Sequence, residues 1–437
     1  MATKKKLLQA AAGAGGADSY WIAFLGGSGG DEAKAVAVDS SDNIIIAGNT
    51  SSDGAGGHDG LIAKFDSSGT LQWDRTLGDS SNDYATGVAI DSSDNIIVGG
   101  YGYFGGAWTG FVAKYNSSGV IQWQKKLTTS SSCYVRKCAV DSSDNIIVVG
   151  NASGTGAGSN DGLIVKYNSS GTVLWKRLLG GSSSDIFFAV ETDSSDNIFV
   201  GGYTQSDGAG SYDFFMAKYN SSGALQFDKT LGASSNEFSQ GGVAIDSSDD
   251  VIFSFYTGSV GQGSYDAAIV KYHNTGVFVW DRILGGSGND YYYNVAVDSS
   301  DNIYGFGWTA SDGVGSNDLL LAKYNSSGVI QWQKNLGSTA SETGHSVTVD
   351  SSDNIIMAGY TATGADAVIA KVPSDGSGDG TYGSFTYQDS ALTDANPSLT
   401  DALAVLTDAS ATGVSSSDAS LTDAAAVLTD QLTEITV

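Results

Sequence analysis

Proline is nearly missing: the 437 residues contain 2 prolines against 59 glycines. Turns must therefore come from Gly, Ser, Asn and Asp, through positive φ and side-chain-to-backbone hydrogen bonds. Cysteine is as scarce, and Cys133 and Cys138 are too few for a disulfide scaffold. The three histidines, His58, His273 and His345, lie far apart without the spacing of a zinc site. Positive charge is short, with 21 Lys+Arg against 48 Asp+Glu and a net charge of −27. That sign repels phosphates and excludes nucleic-acid or anionic-membrane binding as the main task. No apolar run reaches the roughly 18 residues of a membrane-crossing helix. Phosphate-loop and His-Glu-x-x-His motifs are absent. What remains is 41% hydrophobic residues, enough for a packed core.

An internal repeat dominates the chain. Asp-Ser-Ser-Asp-Asn begins at Asp39, Asp91, Asp141, Asp193, Asp298 and Asp350, with Asp-Ser-Ser-Asp-Asp at Asp246; the steps are 52, 50, 52, 53, 52 and 52 residues. An aromatic residue precedes each by 18 or 19 positions: Trp21, Trp73, Trp123, Trp175, Phe227, Trp280 and Trp332. A third mark is the lysine of Ala/Val-Lys-aromatic at Lys64, Lys114, Lys166, Lys218, Lys271 and Lys323, with Val372 after Lys371. Each unit reads as four short strands, exemplified by Ala35–Val38 (a), Ile44–Ala47 (b), Leu61–Phe65 (c) and Leu71–Leu77 (d). Four strands in about 50 residues is the pattern of a propeller blade. The chain enters with a lone d strand, Trp21–Leu25, and the last unit stops after strand c at Lys371. Pairing first with last closes a ring and removes its open edges. The expected fold is all-β: one seven-bladed propeller over residues 20–372, closed by its N-terminal strand.

Units of the form Val-Asp-Ser-Ser-Asp-Asn-Ile-Ile-x-x-Gly-Tyr-Thr, followed by Ala-Lys-Tyr-Asn-Ser-Ser-Gly-x-x-x-Trp, resemble the SBBP-type beta-propeller repeats of bacterial surface proteins. The resemblance implies an architecture and transfers no catalytic residue. The opening Lys5-Lys-Leu-Leu-Gln-Ala-Ala-Ala-Gly13 resembles that of marine tailed-phage virion structural proteins. It implies that residues 1–19 are an anchor peptide rather than a secretory signal, whose apolar stretch Gln9 would interrupt. Residues 373–437 are different again. They hold both prolines, ten acidic residues and no lysine or arginine, with Leu-Thr-Asp starting at Leu392, Leu399, Leu406, Leu421 and Leu428. Heptad spacing with Thr-Asp caps suggests short helical turns that pack against sister copies, giving a homo-oligomer.

In such blades the a–b and c–d turns share one face and the d–a and b–c loops the other. The first face is uniform. The second varies, which is where binding on a rigid scaffold is expected. Its candidate ligand-binding residues are Asp83, Tyr84, Trp108, Tyr134, Asp185, Phe187, Tyr212, Glu237, Phe238, Tyr265, Asp290 and Tyr291, since carboxylates beside exposed rings suit sugars. The aromatic set from Trp21 to Trp332 is read as structural, docking blade on blade. Asp39 and Asp42 are weak Ca²⁺ candidates, because hydroxyls flank their carboxylates; no other metal or cofactor is expected. Asp66-x-x-Gly-x-x-x-Trp73 resembles the docking motif of quinone-cofactor propellers. That chemistry needs a vicinal cysteine pair, and Cys133 and Cys138, five apart on a strand, should point to opposite faces.

The sequence thus suggests a non-enzymatic virion structural protein of a phage. Its ends would meet other virion proteins and its varied face a host-surface glycan or receptor, without nucleic acid or membrane insertion. A secreted bacterial surface adhesin is the alternative, and a propeller hydrolase or quinoprotein a third.

Overall fold

The computed structural model describes residues 7–9, 20–395, 397, 399–403, 407–410, 415–418, 422–424 and 432–434. The described residues form strands and turns without a helix. Seven four-stranded antiparallel blades make up the ring. Blade 1 is a Asp31–Val38, b Ile44–Thr50, c Asp59–Phe65 and d Leu71–Gly78. Strands a, b and c begin or end several residues beyond the apolar runs, because Asp31 pairs in register with Thr50 and Thr50 with Asp59. Blade 7 takes strands a to c from Glu342–Val349, Ile355–Thr361 and Asp366–Val372 and its outer strand from Trp21–Leu25, with Trp21 opposite Lys371. Strands b and c are buried along both faces, as near-continuous Ile, Val, Leu and Ala runs require. Seven apolar clusters between neighbouring blades make up the core.

The repeated pentapeptide is a joint between blades. Asp39 Oδ1 accepts the Ser41 and Asn43 amides, while its Oδ2 takes Lys64 Nζ at 2.7 Å. Asp42 sits at φ 60°, a left-handed position that Asp tolerates better than most residues. Ser40 donates its amide and hydroxyl to Asp94 of the next blade, and the relay repeats around the ring until Ser351 reaches Asp42. Aromatic docking runs in parallel. Trp21 packs on Gly69, Trp73 on Gly119, Trp123 on Gly171, Trp175 on Gly223, Phe227 on Gly276, Trp280 on Gly328 and Trp332 on Gly376. These glycines are held at φ between 72° and 87°. A Cβ there would stand within about 3 Å of the ring, so glycine meets both demands at once.

The tail departs from the heptad-helix expectation. Its described stretches are strands, each added to the outer edge of one blade. Phe385–Asp389 pairs with blade 6, Thr393–Ala395 with blade 5, Thr400–Leu403 with blade 4, Thr407–Ser410 with blade 3, Ser415–Asp418 with blade 2 and Thr422–Ala424 with blade 1. Leu432–Glu434 then runs parallel to Leu7–Gln9, which lies on Trp21–Ile22. The period of seven is therefore one step per blade, a belt running against chain order. Seven residues span at most about 24 Å, room for a three- or four-residue strand and a link. Leu392, 8% exposed, fills the core between blades 5 and 6 just before its strand begins. Leu7 and Leu8 of the anchor peptide are strand residues. The other residues of the 1–19 anchor peptide and the Leu428 repeat lie outside the described residues.

Candidate functional site

The acids of the varied face are internal. Asp83, Asp185, Glu237 and Asp290 are at most 1% exposed, as are Asp31 and Glu342. Each opens a strand a and holds the preceding loop: Asp185 Oδ2 accepts Gly181 N at 2.8 Å, Asp290 Oδ2 accepts Gly286 N at 2.8 Å and Glu237 Oε2 accepts Ala233 N at 3.0 Å. A threonine at the end of strand b supplies the other oxygen with a hydroxyl: Thr50 to Asp31, Thr204 to Asp185, Thr257 to Glu237, Thr309 to Asp290 and Thr361 to Glu342. These carboxylates staple loops and do not face a ligand, which corrects their reading as binding residues. The sequence hid this because a buried acid opposite a threonine looks, in one dimension, like an exposed acidic loop.

Two blades break the pattern differently. In blade 3 both partners are replaced, by Cys133 and Ala152, which pair in an apolar environment. In blade 2 only the threonine is lost, to Gly102, leaving Asp83 Oδ1 buried without a hydrogen-bond partner among the described residues. Burial, with Asp79 and Asp59 nearby, pushes the Asp83 carboxyl up to about 7. The cysteines also share one core cluster, contrary to the opposite-face expectation. A bulge between Val135 and Lys137 inserts one residue and reverses the parity. Burial pushes both thiols up to about 12, so they behave as apolar side chains.

The aromatic candidates do assemble. Three columns, at the second position of strand a, the sixth of strand b and the residue before strand c (in blade 2, Trp108 inside a longer strand c), place buried and half-buried rings side by side. In blades 2 and 3, Trp108 stacks on Tyr134 at 6.0 Å, Tyr101 lies 5.0 Å from Tyr134, and Tyr84 5.3 Å from Tyr101. A tight hairpin at Gly105-Gly106, both at positive φ, projects Tyr103, 42% exposed, against Trp108. Across blades 4 to 6, Tyr203 meets Tyr212 and Phe238, Phe238 meets Tyr256 and Tyr265, and Tyr291 lies 4.3 Å from Trp308. Phe187 is not part of this surface: it is 1% exposed and stacks on Phe215 inside the core. Its neighbour Phe188 takes the surface position, 5.7 Å from Tyr203.

Phe188 belongs to a set that the sequence reading missed. Every strand a carries a bulge at one position, and the bulged residues are Lys34, Thr86, Arg136, Phe188, Gln240 (within a longer irregularity in blade 5), Tyr293 and His345. Bulges re-aim side chains, and these lie around the mouth of the central channel. Seven different residues in one column of an otherwise uniform repeat was the available signal. Arg136 joins the two aromatic groups, its guanidinium 4.9 Å from the Tyr134 ring and 5.2 Å from Phe188. Tyr293 and His345 stack at 5.9 Å. Rings and the Arg136 guanidinium together form an arc from His58 to His345. Below it the strand-a segments line a channel cavity of about 510 Å³ that includes Lys137 and Glu191.

No group of three or more metal-ligating side chains occurs among the described residues. The oxygens of Asp39 and Asp42 accept from Lys64, Asn43 and Ser351, so the Ca²⁺ candidates already serve the blade joint.

Comparison with known proteins agrees on architecture. The family model described as "Domain of unknown function (DUF5122) beta-propeller" matches residues 142–173 and 194–225, within blades 3 and 4. An uncharacterised WD repeat-containing protein of Acanthamoeba polyphaga mimivirus is 24% identical over 43% of this chain, which spans 19% of that relative's length. Among solved structures, polysaccharide lyase Uly1 is 10% identical with a TM-score of 0.47, covering 79% of this chain and 90% of its own. YCF48 bound to D1 peptide is 11% identical with a TM-score of 0.44, covering 80% and 96%. A gluconolactonase of Xanthomonas campestris is 11% identical with a TM-score of 0.37, covering 69% and 90%. At these values the likeness carries nothing about chemistry.

Proposed function

We propose that this beta-propeller protein is a non-catalytic binding protein whose aromatic arc takes saccharides of a host or cell surface. The observation that carries the reading is the pair of aromatic groups across one face, Tyr84 to Tyr134 and Phe188 to Trp308, bridged by Arg136. Pyranose rings stack their C–H faces on aromatic planes and offer hydroxyls to nearby acceptors. Hydrolysis is disfavoured because glycosidases need a carboxylate pair open to the substrate, and the strand-a acids are buried in loop staples.

We further propose display on a virus particle, contacted by other virion proteins at the ends of the chain. The mimivirus likeness and the phage-like opening support it. The resemblance to bacterial surface repeats supports the second reading, a secreted adhesin. A glycan array probed with the full chain, beside Trp108→Ala and Tyr291→Ala, tests the saccharide reading. Binding that falls at least tenfold in both variants, each still unfolding in one cooperative transition, is expected. An array left empty by the native protein overturns it.

A further inference from the structure

We propose that the ligand of this face carries an acid group, a carboxylate or sulfate ester, seated at the channel mouth on Arg136 and Lys137. The inference rests on the saccharide reading and adds the charge of the sugar.

The residues come together through the strand-a bulges. The bulge in blade 3 turns Arg136 out of the ladder, where its guanidinium lies 5.0 Å from the Tyr101 ring, 4.9 Å from Tyr134 and 5.2 Å from Phe188. Three rings immobilise the planar fork, and its Nε is buried without a hydrogen-bond acceptor. A fixed fork suits two oxygens of a carboxylate or a sulfate ester. The next residue, Lys137, lines the channel cavity and has neither hydrogen bond nor ion pair among the described residues. Burial, with Lys34 nearby, draws its ammonium down to about 8. His345, stacked on Tyr293, faces the same two lysines and is held neutral by burial and by them. Cationic groups from blades 1 and 3 thus meet a neutral imidazole from blade 7 at one mouth.

The carboxylates nearby do not neutralise it. Glu32 is tied to Lys34 at 2.5 Å. Glu191 lines the cavity further in, accepts its neighbour Thr192 N at 3.0 Å, and is pushed up to about 6 by burial. A buried cation without a counterion is costly, and an incoming acid group offsets that cost. A protein of net charge −27 repels a polyanion at longer range. The fitting ligand therefore bears one or two acid groups on an otherwise neutral saccharide.

The test is an array of matched pairs, uronate-, sialate- or sulfate-bearing glycans beside their neutral parents, with affinities of any bound pair measured by calorimetry. The acidic member should bind at least tenfold more tightly. Arg136→Gln and Lys137→Met should each bring the acidic-to-neutral affinity ratio to within about twofold of one, whatever either does to the affinity for the neutral parent. Equal binding of acidic and neutral members, or a preference that survives both substitutions, overturns the acid-group inference and leaves the saccharide reading standing. Binding of neither overturns both.

Discussion

Asp83→Asn is the most informative single substitution in the ring. Asp83 is 0% exposed, keeps one bond, from Asp79 N at 2.8 Å to Oδ2, and has an orphaned Oδ1 because Gly102 stands where other blades have threonine. Its carboxyl is raised from 3.8 to about 7, chiefly by burial. A folded-state value above the unfolded one means that the native chain holds the extra proton between those limits. Stability is then fully present below pH ~4 and is lost as pH rises toward 7. At about 1.4 kcal/mol per unit the full shift amounts to about 4 kcal/mol, an upper bound once the site relaxes. Asparagine keeps an acceptor for Asp79 N and cannot ionise. Urea unfolding at pH 4.5 and pH 8 should show little difference between native chain and variant at the lower pH. At pH 8 the variant should be about 2–4 kcal/mol more stable. Parallel pH profiles for the two proteins would refute the reasoning, for they would mean that Asp83 ionises as if solvated.

The acid limb has the opposite origin. The carboxyls of Asp39, Asp91, Asp141, Asp193, Asp298 and Asp350 are lowered, against the pull of burial, by asparagine and backbone donors together with a lysine or, at Asp298, the Tyr304 hydroxyl. Their contribution is present above about pH 4 and lost below it, so thermal midpoints should collapse steeply there. Trp123→Ala removes a docking ring from Gly171 and a bond from Trp123 Nε1 to Ser169 O at 3.2 Å; a loss of about 2–4 kcal/mol in urea unfolding is expected. Ending the chain after Ser390 removes the belt from blades 1 to 5 and leaves Phe385–Asp389 on blade 6. Hydrogen exchange should then quicken at the outer strands Leu225–Gly232 and Val173–Gly180, with Ile330–Gly337 unchanged.

Seven blades and their closure could be read from the sequence because each rests on a local requirement repeated in phase. Asp-Ser-Ser-Asp-Asn must supply an Asx turn, a left-handed residue and a reach to the next blade, and few other pentapeptides do all three. The phase of the two ends then left one strand without partners. The belt was misread for a definite reason. Heptads suggest helices, and nothing within Leu-Thr-Asp states that its partner is a strand hundreds of residues away; the period is set by the distance between blades. The acids were misassigned for a related reason: their burial depends on a threonine about 20 residues on, at the end of strand b.

Exceptions inside the repeat are as informative as its regularities. Six blades pair an aspartate at the start of strand c with a glycine on the outer strand. In blade 1 a Cβ on Gly78 would stand 2.4 Å from Asp59 Oδ1, and in blade 6 a Cβ on Gly337 would nearly overlap Asp318 Oδ1. Blade 2 has Thr109 and Thr128 at these places, so both members of the pair changed together. Cys133 and Ala152 changed together in blade 3. Asp83 and Gly102 did not, and an orphaned oxygen is the result. This irregular blade bears the short Gly105-Gly106 hairpin, the exposed Tyr103 and the half-buried Trp108, and it adjoins Arg136 of blade 3. Uncompensated burial, a projecting hairpin and an unpaired guanidinium coincide at one sector of the ring. Scaffold rules are relaxed where something other than folding shapes the residues, and the sector between blades 2 and 3 is therefore where ligand density should be sought first.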